Sequence, residues 1–164
     1  MNGALTLRPA NLQDGAALWA ILQPAFHAGD SYAVDRDISK SAALHYWTGE
    51  GKTAYLAMRL DQAVGSYYMC PNYPGGGAHV CNCGFVTHPQ SRGQGIARTM
   101  LEHALKTAKS AGYSAMQFNF VLASNAGAIH LWQSCGFAEV GRLPQAFQHP
   151  ALGLIDALVM HRQL

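Results

Sequence analysis

The stretch Phe85-Val86-Thr87-His88-Pro89-Gln90-Ser91-Arg92-Gly93-Gln94-Gly95-Ile96-Ala97 constrains this chain more than any other. It runs from a strand pattern through a glycine-bearing loop into the start of a helix. A loop of this kind turns successive backbone N–H groups toward one point. The helix N-terminus adds unpaired donors and a partial positive charge. Gly93 and Gly95 carry no side chain to block an approaching phosphate, and they tolerate unusual φ values. The loop therefore suits a diphosphate. It is not a P-loop, which needs four residues between its glycines and then Lys-Ser/Thr. Nor is it a dinucleotide fingerprint, because the third glycine and the early βαβ setting are absent. A lone Gly-x-Gly would read as a tight turn before a helix. The full run of Pro, Gln and Arg-Gly-x-Gly-Ile-Ala at a strand-to-helix junction points to a site.

The rest of the chain supplies a frame for that loop. Ala4 to Arg8 reads as a short strand stopped by Pro9. Asn11 to Asp14 has the form of a capping box. Leu18, Ile21, Leu22 and Ala25 follow at helical spacing, with Pro24 expected to kink or end the helix. His27 to Val34 reads as loop, and Asp35 to Trp47 as a second helix with Asp35 and Asp37 at its positive end. Thr53 to Arg59 and Ala63 to Met69 form two strands around a short turn. Pro71 to Gly77 is a turn cluster. His79 to Thr87 is a strand in which Gly84 marks a bulge or a close backbone approach. Ile96 to Ala111 is an amphipathic helix, with Gly112 where a C-terminal cap belongs. Ala115 to Leu122 alternates as a strand. Asn125 caps a helix running to about Cys135, and Gly136 ends it. Glu139 to Leu143 and Leu154 to His161 are the last strands. This order of elements is an α/β mixture in one domain, residues 1–164.

Composition narrows the function. Apolar residues make up 49% of the 164 residues and charged residues only 12%, about half the usual charged share. Disorder, which needs low hydrophobicity and high charge, is excluded. A formal net charge of +2 is no footprint of a nucleic-acid binder and too little for an electrostatic membrane anchor. No apolar run is long enough to span a bilayer, and the N-terminus lacks the pattern of a signal peptide. Cys70, Cys81, Cys83 and Cys135 make neither a disulfide framework nor a zinc site, so no metal is expected and a cytoplasmic location is.

The loop resembles the acetyl-coenzyme A motif of the GCN5-related N-acetyltransferases, Gln/Arg-x-x-Gly-x-Gly/Ala, in Gln90, Gly93 and Gly95. A second block, Asn125 to Phe137, resembles that family's Asn-x-x-Ala helix ending in Gly-Phe. The resemblance covers nearly the whole chain. It implies a mixed, mostly antiparallel sheet flanked by helices, in which the strands holding Gly84 and Asn119 splay apart. It implies that acetyl-coenzyme A lies in the V between them. Its pantetheine arm would pair with backbone at Phe85, Val86 and Thr87, and its pyrophosphate would rest on Arg92, Gly93, Gln94, Gly95, Ile96 and Ala97. Asn125 would touch the cofactor arm. The reaction implied is direct acetyl transfer to an amine.

The chain departs from the family where the chemistry is. Many members carry a tyrosine after the leucine of the second block, where it protonates the departing thiolate. This chain has Trp132, which by the resemblance would still border the cofactor, but whose indole N–H is a donor and no useful acid. Many members carry a glutamate base on the strand before the loop. Here His79 to Phe85 holds no carboxylate. Asn82 and Asn119 stand on the two splayed strands at positions that ordinarily take apolar residues. Either alone reads as a core amide satisfied by backbone. As a pair facing one cleft, they read as the groups that handle substrate, and they are the candidate catalytic residues.

A narrower resemblance rests on His79 to Phe85, Gln117 to Val121, Asn125 and Gly141-Arg142-Leu143-Pro144. These segments look like the fungal acetyltransferases that detoxify azetidine-2-carboxylate and other proline analogues, and their bacterial relatives. It implies a small amino or imino acid as acceptor. Protein or peptide amine acetylation and a non-catalytic acyl-coenzyme A-binding module are the alternatives, and a homodimer is an allowed assembly. Cys81 and Cys83 read as buried small hydrophobes, and Cys135 as a packing residue. His88 and His149 read as surface histidines, although His149 borders the expected acceptor pocket. Tyr67, Tyr68 and Tyr73 are candidates for its walls. Alternation places one of Tyr67 and Tyr68 in the core and leaves the other exposed.

Overall fold

The computed structural model describes residues 3–164. The strands are β1 (Leu5–Pro9), β2 (Thr53–Arg59), β3 (Gln62–Pro71), β4 (Val80–Thr87), β5 (Ala115–Leu122), β6 (Ala138–His149) and β7 (Gly153–Gln163). The helices are α1 (Gly15–Ala28), α2 (Lys40–Thr48), α3 (Ile96–Ser110) and α4 (Ala126–Ser134). The strands form one sheet in the order β1-β2-β3-β4-β5-β7-β6. Every neighbouring pair is antiparallel except β4 and β5. Those two run parallel and pair only at Val80–Ala115 and Cys81–Met116. Beyond Cys81 the ladder stops, and the sheet opens into the expected V. None of the described helices is long and apolar enough to cross a membrane.

The sheet has a core on each face. Met100, Leu101, Ala104 and Ala108 of α3 and Trp132 of α4 pack on one side, against Tyr67, Met69, Cys81, Cys83 and Phe118. On the other, Leu18, Ile21, Leu22 and Phe26 of α1 and Trp47 of α2 pack against Leu56, Tyr68 and Val86. Strand side chains alternate between faces, so Tyr67 enters one core and Tyr68 the other. Both are buried, which corrects the expectation that one is exposed. β3 is a central strand covered on both sides and reads as an unbroken buried run from Val64 to Met69. Its buried serine, Ser66, accepts from Trp47 Nε1 at 2.9 Å and donates to Tyr55 O at 2.7 Å.

Three other expectations change. Pro24 does not end α1, which continues to Ala28 and closes on Gly29 in the left-handed region, φ +68°. Ala25 and Phe26, just past the proline, are buried in the core, and that burial offsets the lost helical hydrogen bond. The second helix begins at Lys40, not Asp35. Ser39 Oγ accepts from the Ala42 amide at 3.1 Å and so defines its start, leaving Asp35 and Asp37 in the preceding turn. Finally, β6 does not stop at Leu143. After a bulge at residues 144–146 it resumes at Phe147, opposite Ile155. Asp156 holds the bulge, accepting from the Gln145 amide at 2.9 Å and from Arg142 at 3.1 Å.

The chain entering α1 is pinned as expected from Asn11 and Asp14. The capping box encloses a short 3₁₀ turn, Leu12–Asp14, which leads into the helix. Asn11 Oδ1 accepts from the Gln13 amide, and Asp14 Oδ2 accepts from the Asn11 amide at 2.7 Å. Arg8 donates to both oxygens of Asp14, at 2.7 and 2.8 Å. The Arg8 hydrogen bond holds the Asp14 carboxyl below its ordinary value, with a smaller contribution from the Asn11 amide. Asp14→Ala is expected to cost about 1–2 kcal/mol at neutral pH. A carboxyl with a lowered folded pKa stabilises the fold fully above its unfolded value of 3.8. That contribution is lost as pH falls through the lower folded value. Urea unfolding of the two proteins should show their difference closing at acidic pH.

Candidate active site

The V between β4 and β5 is the mouth of a cavity of about 740 Å³, within the range of small-ligand sites. Of the residues expected to hold the cofactor, Phe85, Val86, Thr87, Arg92, Ala97, Asn125 and Trp132 line it. Gly93, Gln94 and Gly95 of the loop and Ile96 at the start of α3 do not line it. Gly93 and Gly95 have φ of +73° and +77°, and a Cβ on either would meet nothing within 4 Å. Their turn is therefore one that favours glycine, opening onto free space. Gly95 precedes α3 with no side-chain cap, so the first amides of the helix have no side-chain acceptor. The Ile96 side chain is buried beneath the loop, leaving only its backbone for a ligand. Gln94 turns aside, accepting from Arg59 and donating to Gln90 O at 3.3 Å. Arg59 thus ties the end of β2 to the loop. The glycine cradle, uncapped helix end and neighbouring Arg92 fit a diphosphate.

The walls of the V are aromatic. Trp132 packs against Phe85 and Phe118 with ring centroids 5.2 and 5.0 Å away. At 7% exposure it serves as part of the floor. Asn125 caps α4 by accepting from the Ala128 amide at 3.2 Å, which leaves its side-chain N–H groups available to the cavity. Cys81 and Cys83 are buried, as expected.

Asn82 and Asn119 both line the cavity, so the fold does bring the pair to one cleft. Asn119 Nδ2 donates to Asn72 Oδ1 at 2.6 Å, and Asn119 Oδ1 accepts from Gln117 Nε2 at 3.0 Å. An amide has two N–H groups and two lone pairs, so one of each remains for a ligand. The β5–β7 register slips between Phe118 and Val121, which sets Asn119 at an irregularity instead of in a continuous ladder. Sequence reasoning missed Asn72, which lies among the turn-forming residues after β3. Its pairing across the V had no local signal.

The far end of the cavity is bordered by Tyr32, Tyr46, Tyr68 and Asp30. Of the three tyrosines proposed from sequence, only Tyr68 lines it. Burial pushes the hydroxyls of Tyr32, Tyr46 and Tyr68 above the ordinary tyrosine value. Lys52 sits over the rings of Tyr46 and Tyr68, at 4.3 and 4.5 Å from their centroids. Burial lowers its pKa, and the cation–π contacts help to hold the aromatic wall. His149, half-buried at the end of β6, also lines the cavity, at the pocket border where the sequence put it. Its Nδ1 accepts from the amides of Ala151 and Leu152 at 3.1 and 3.2 Å. With Nδ1 so occupied, Nε2 is the ring nitrogen left for a ligand.

Residues 16–137 match the acetyltransferase (GNAT) family. The chain belongs to that family. A GCN5-related N-acetyltransferase from Kribbella flavida superposes with a TM-score of 0.92 at 36% identity, over 98% of each chain. The protein yncA of Salmonella typhimurium, solved with acetyl-CoA, shares the fold at a TM-score of 0.85 and 22% identity, over 99% of this chain and 95% of that one. In sequence, the N-acetyltransferase aca1 of Schizosaccharomyces pombe is 37% identical over 83 residues, 51% of this chain and 40% of aca1. Protein SPT10 of Saccharomyces cerevisiae is 26% identical over 118 residues, 71% of this chain and 18% of SPT10. The chain thus matches less than half the length of either of these two curated relatives. The GNAT fold accounts for the splayed strands, and the family's two sequence blocks are the elements that border the cavity.

Proposed function

We propose that the protein transfers the acetyl group of acetyl-coenzyme A to the amine of a small acceptor, an amino acid or a toxic amino or imino acid analogue. The observation that carries this reading is the continuity of one cavity. Arg92 and Ala97 on either side of the glycine turn, the free edge of β4 and the amides of Asn82 and Asn119, the latter bonded to Asn72, border the same space. Acetyl-coenzyme A supplies an activated thioester. The loop from Arg92 to Ala97 binds its diphosphate, the edge from Phe85 to Thr87 orients its arm, and Trp132 with Phe118 keeps water from the reacting end. Asn82 and Asn119 hold the acceptor or polarise the thioester carbonyl through neutral hydrogen bonds. Among the described residues Asp30 is the only carboxylate bordering the cavity, which disfavours polycationic acceptors that need an acidic pocket.

Free thiols at Cys70, Cys81, Cys83 and Cys135 suit a reducing cytoplasm. Exposed Val140 and Leu143 on edge strand β6 support a homodimer, for which light scattering should give twice the 17.6 kDa chain mass. The absence of a carboxylate on β4 favours one competing reading, a non-catalytic acyl-coenzyme A-binding module. Release of free thiol from acetyl-coenzyme A, measured against amino acids, proline analogues and peptide amines, separates the two. Turnover with a small amino or imino acid supports the proposal. Binding without turnover on any amine supports the module, and turnover on peptides alone overturns the small-acceptor class.

A further inference from the structure

We infer that Tyr32 is the donor that meets the departing coenzyme A sulfur, filling the role that Trp132 cannot; this rests on the acetyl-transfer reading above. Tyr32 lies between α1 and α2, far from β4 in sequence, yet its hydroxyl donates to Phe85 O at 2.9 Å. β4 has already lost its β5 partner at this level, so the carbonyl stands at a free strand edge. The tyrosine is held there by packing. Its ring packs edge-on against Phe26 and Trp47, with centroids 5.3 and 5.8 Å away. Gly84 makes the room. A Cβ at that position would sit 3.1 Å from the Tyr32 hydroxyl and 2.5 Å from Tyr68 Cε1. The close approach anticipated at Gly84 is thus an approach of two tyrosines to the strand edge.

Direction along β4 places Tyr32 at the reacting end. The diphosphate loop follows the C-terminal end of the strand, so an arm anchored there runs back past Thr87 and Val86 toward Phe85 and Asn82. An extended arm pairing with the free edge offers its own amide N–H to the Phe85 carbonyl. The Tyr32 O–H is then released beside the end of the arm. During transfer, the acceptor nitrogen forms a bond to the acetyl carbon and the carbon–sulfur bond breaks, its electron pair staying on sulfur. Tyr32 gives its hydroxyl proton to sulfur, and its oxygen takes one proton from the acceptor nitrogen, directly or through a water. The tyrosine begins and ends neutral, and the products are an amide and a thiol. Burial keeps the hydroxyl protonated well above its ordinary range, which favours such an exchange over a free phenolate.

The test is Tyr32→Phe in the full chain, with the wild type alongside. The ring and its packing are kept, and only the hydroxyl is lost. At saturating substrates kcat is expected to fall about 100-fold, while the calorimetric Kd for coenzyme A stays unchanged. A second readout needs no turnover: the thiol of bound coenzyme A, followed by thiolate absorbance, should titrate at higher pH in the variant than in the wild type. An active wild type with an equally active variant overturns the role of Tyr32 and leaves the acetyl-transfer reading standing. A fall in kcat with an unchanged thiol titration makes Tyr32 a packing residue and also overturns it. A wild type inactive on every amine overturns the reading and this inference together.

Discussion

Coenzyme A binding is expected to disappear in Gly93→Val. The residue has φ +73° and a Cβ would point into open space, so no protein atom stands in the way of the substitution. Two consequences follow for a ligand. A β-branched residue disfavours the left-handed region by about 1–2 kcal/mol and pulls the loop from its turn. The added methyls also occupy the space toward which the loop amides face. Together they should weaken binding on the order of 100-fold or more, because every 1.4 kcal/mol is tenfold. Gly51→Val is the matched control, since Gly51 has φ +77° and equally open surroundings in a turn far from the loop. It should lower stability in urea unfolding and leave the calorimetric Kd untouched. Equal binding by Gly93→Val and wild type would show that the diphosphate lies elsewhere.

The second large effect is on the acceptor side. Asn119→Ala removes the side chain that joins Gln117 to Asn72 across the V. The alanine leaves Asn72 Oδ1 and Gln117 Nε2 without their partner in a partly buried site, and it deletes the cleft-facing N–H. The unpaired groups lower the stability of the fold, and the lost donor to the reacting complex should lower kcat/KM for the acceptor roughly 100-fold. The coenzyme A Kd should not move, because Asn119 lies on the strand opposite the edge proposed to pair with the arm. Steady-state kinetics with calorimetry read the two quantities separately. Loss of coenzyme A binding with normal acceptor constants would reassign Asn119 to the cofactor.

Much of this site was legible before any coordinates. The run from Phe85 to Ala97 carried its own geometry, because left-handed glycines and a helix start are local properties of the backbone. The asparagine pair was legible for a different reason: polar residues at core-spaced strand positions are costly unless they have work to do. Other readings failed for identifiable physical causes. Tyr67 and Tyr68 could not both be placed in the core, since one-sided burial is the ordinary expectation for an alternating strand and this sheet is covered on both sides. Asp35 and Asp37 looked like helix-start charges, but the hydroxyl of Ser39 won the cap. The resumption of β6 depends on Asp156, which is separated from Gln145 by the whole hairpin turn.

Periodicity and turn residues were enough for the element order, and the resemblance of the glycine loop and of the Asn125 to Phe137 block for the family, because each depends on neighbours within a few residues. The low charge of the chain likewise marked out a site without the usual acid and base. Two contacts lay beyond such reasoning. Asn119 meets Asn72 across 47 residues of sequence, and Tyr32 meets Phe85 across 53. Both depend on where the sheet parts and on which helix–loop segment covers the gap. Those are consequences of packing two cores against opposite faces of one sheet, and no local pattern encodes them.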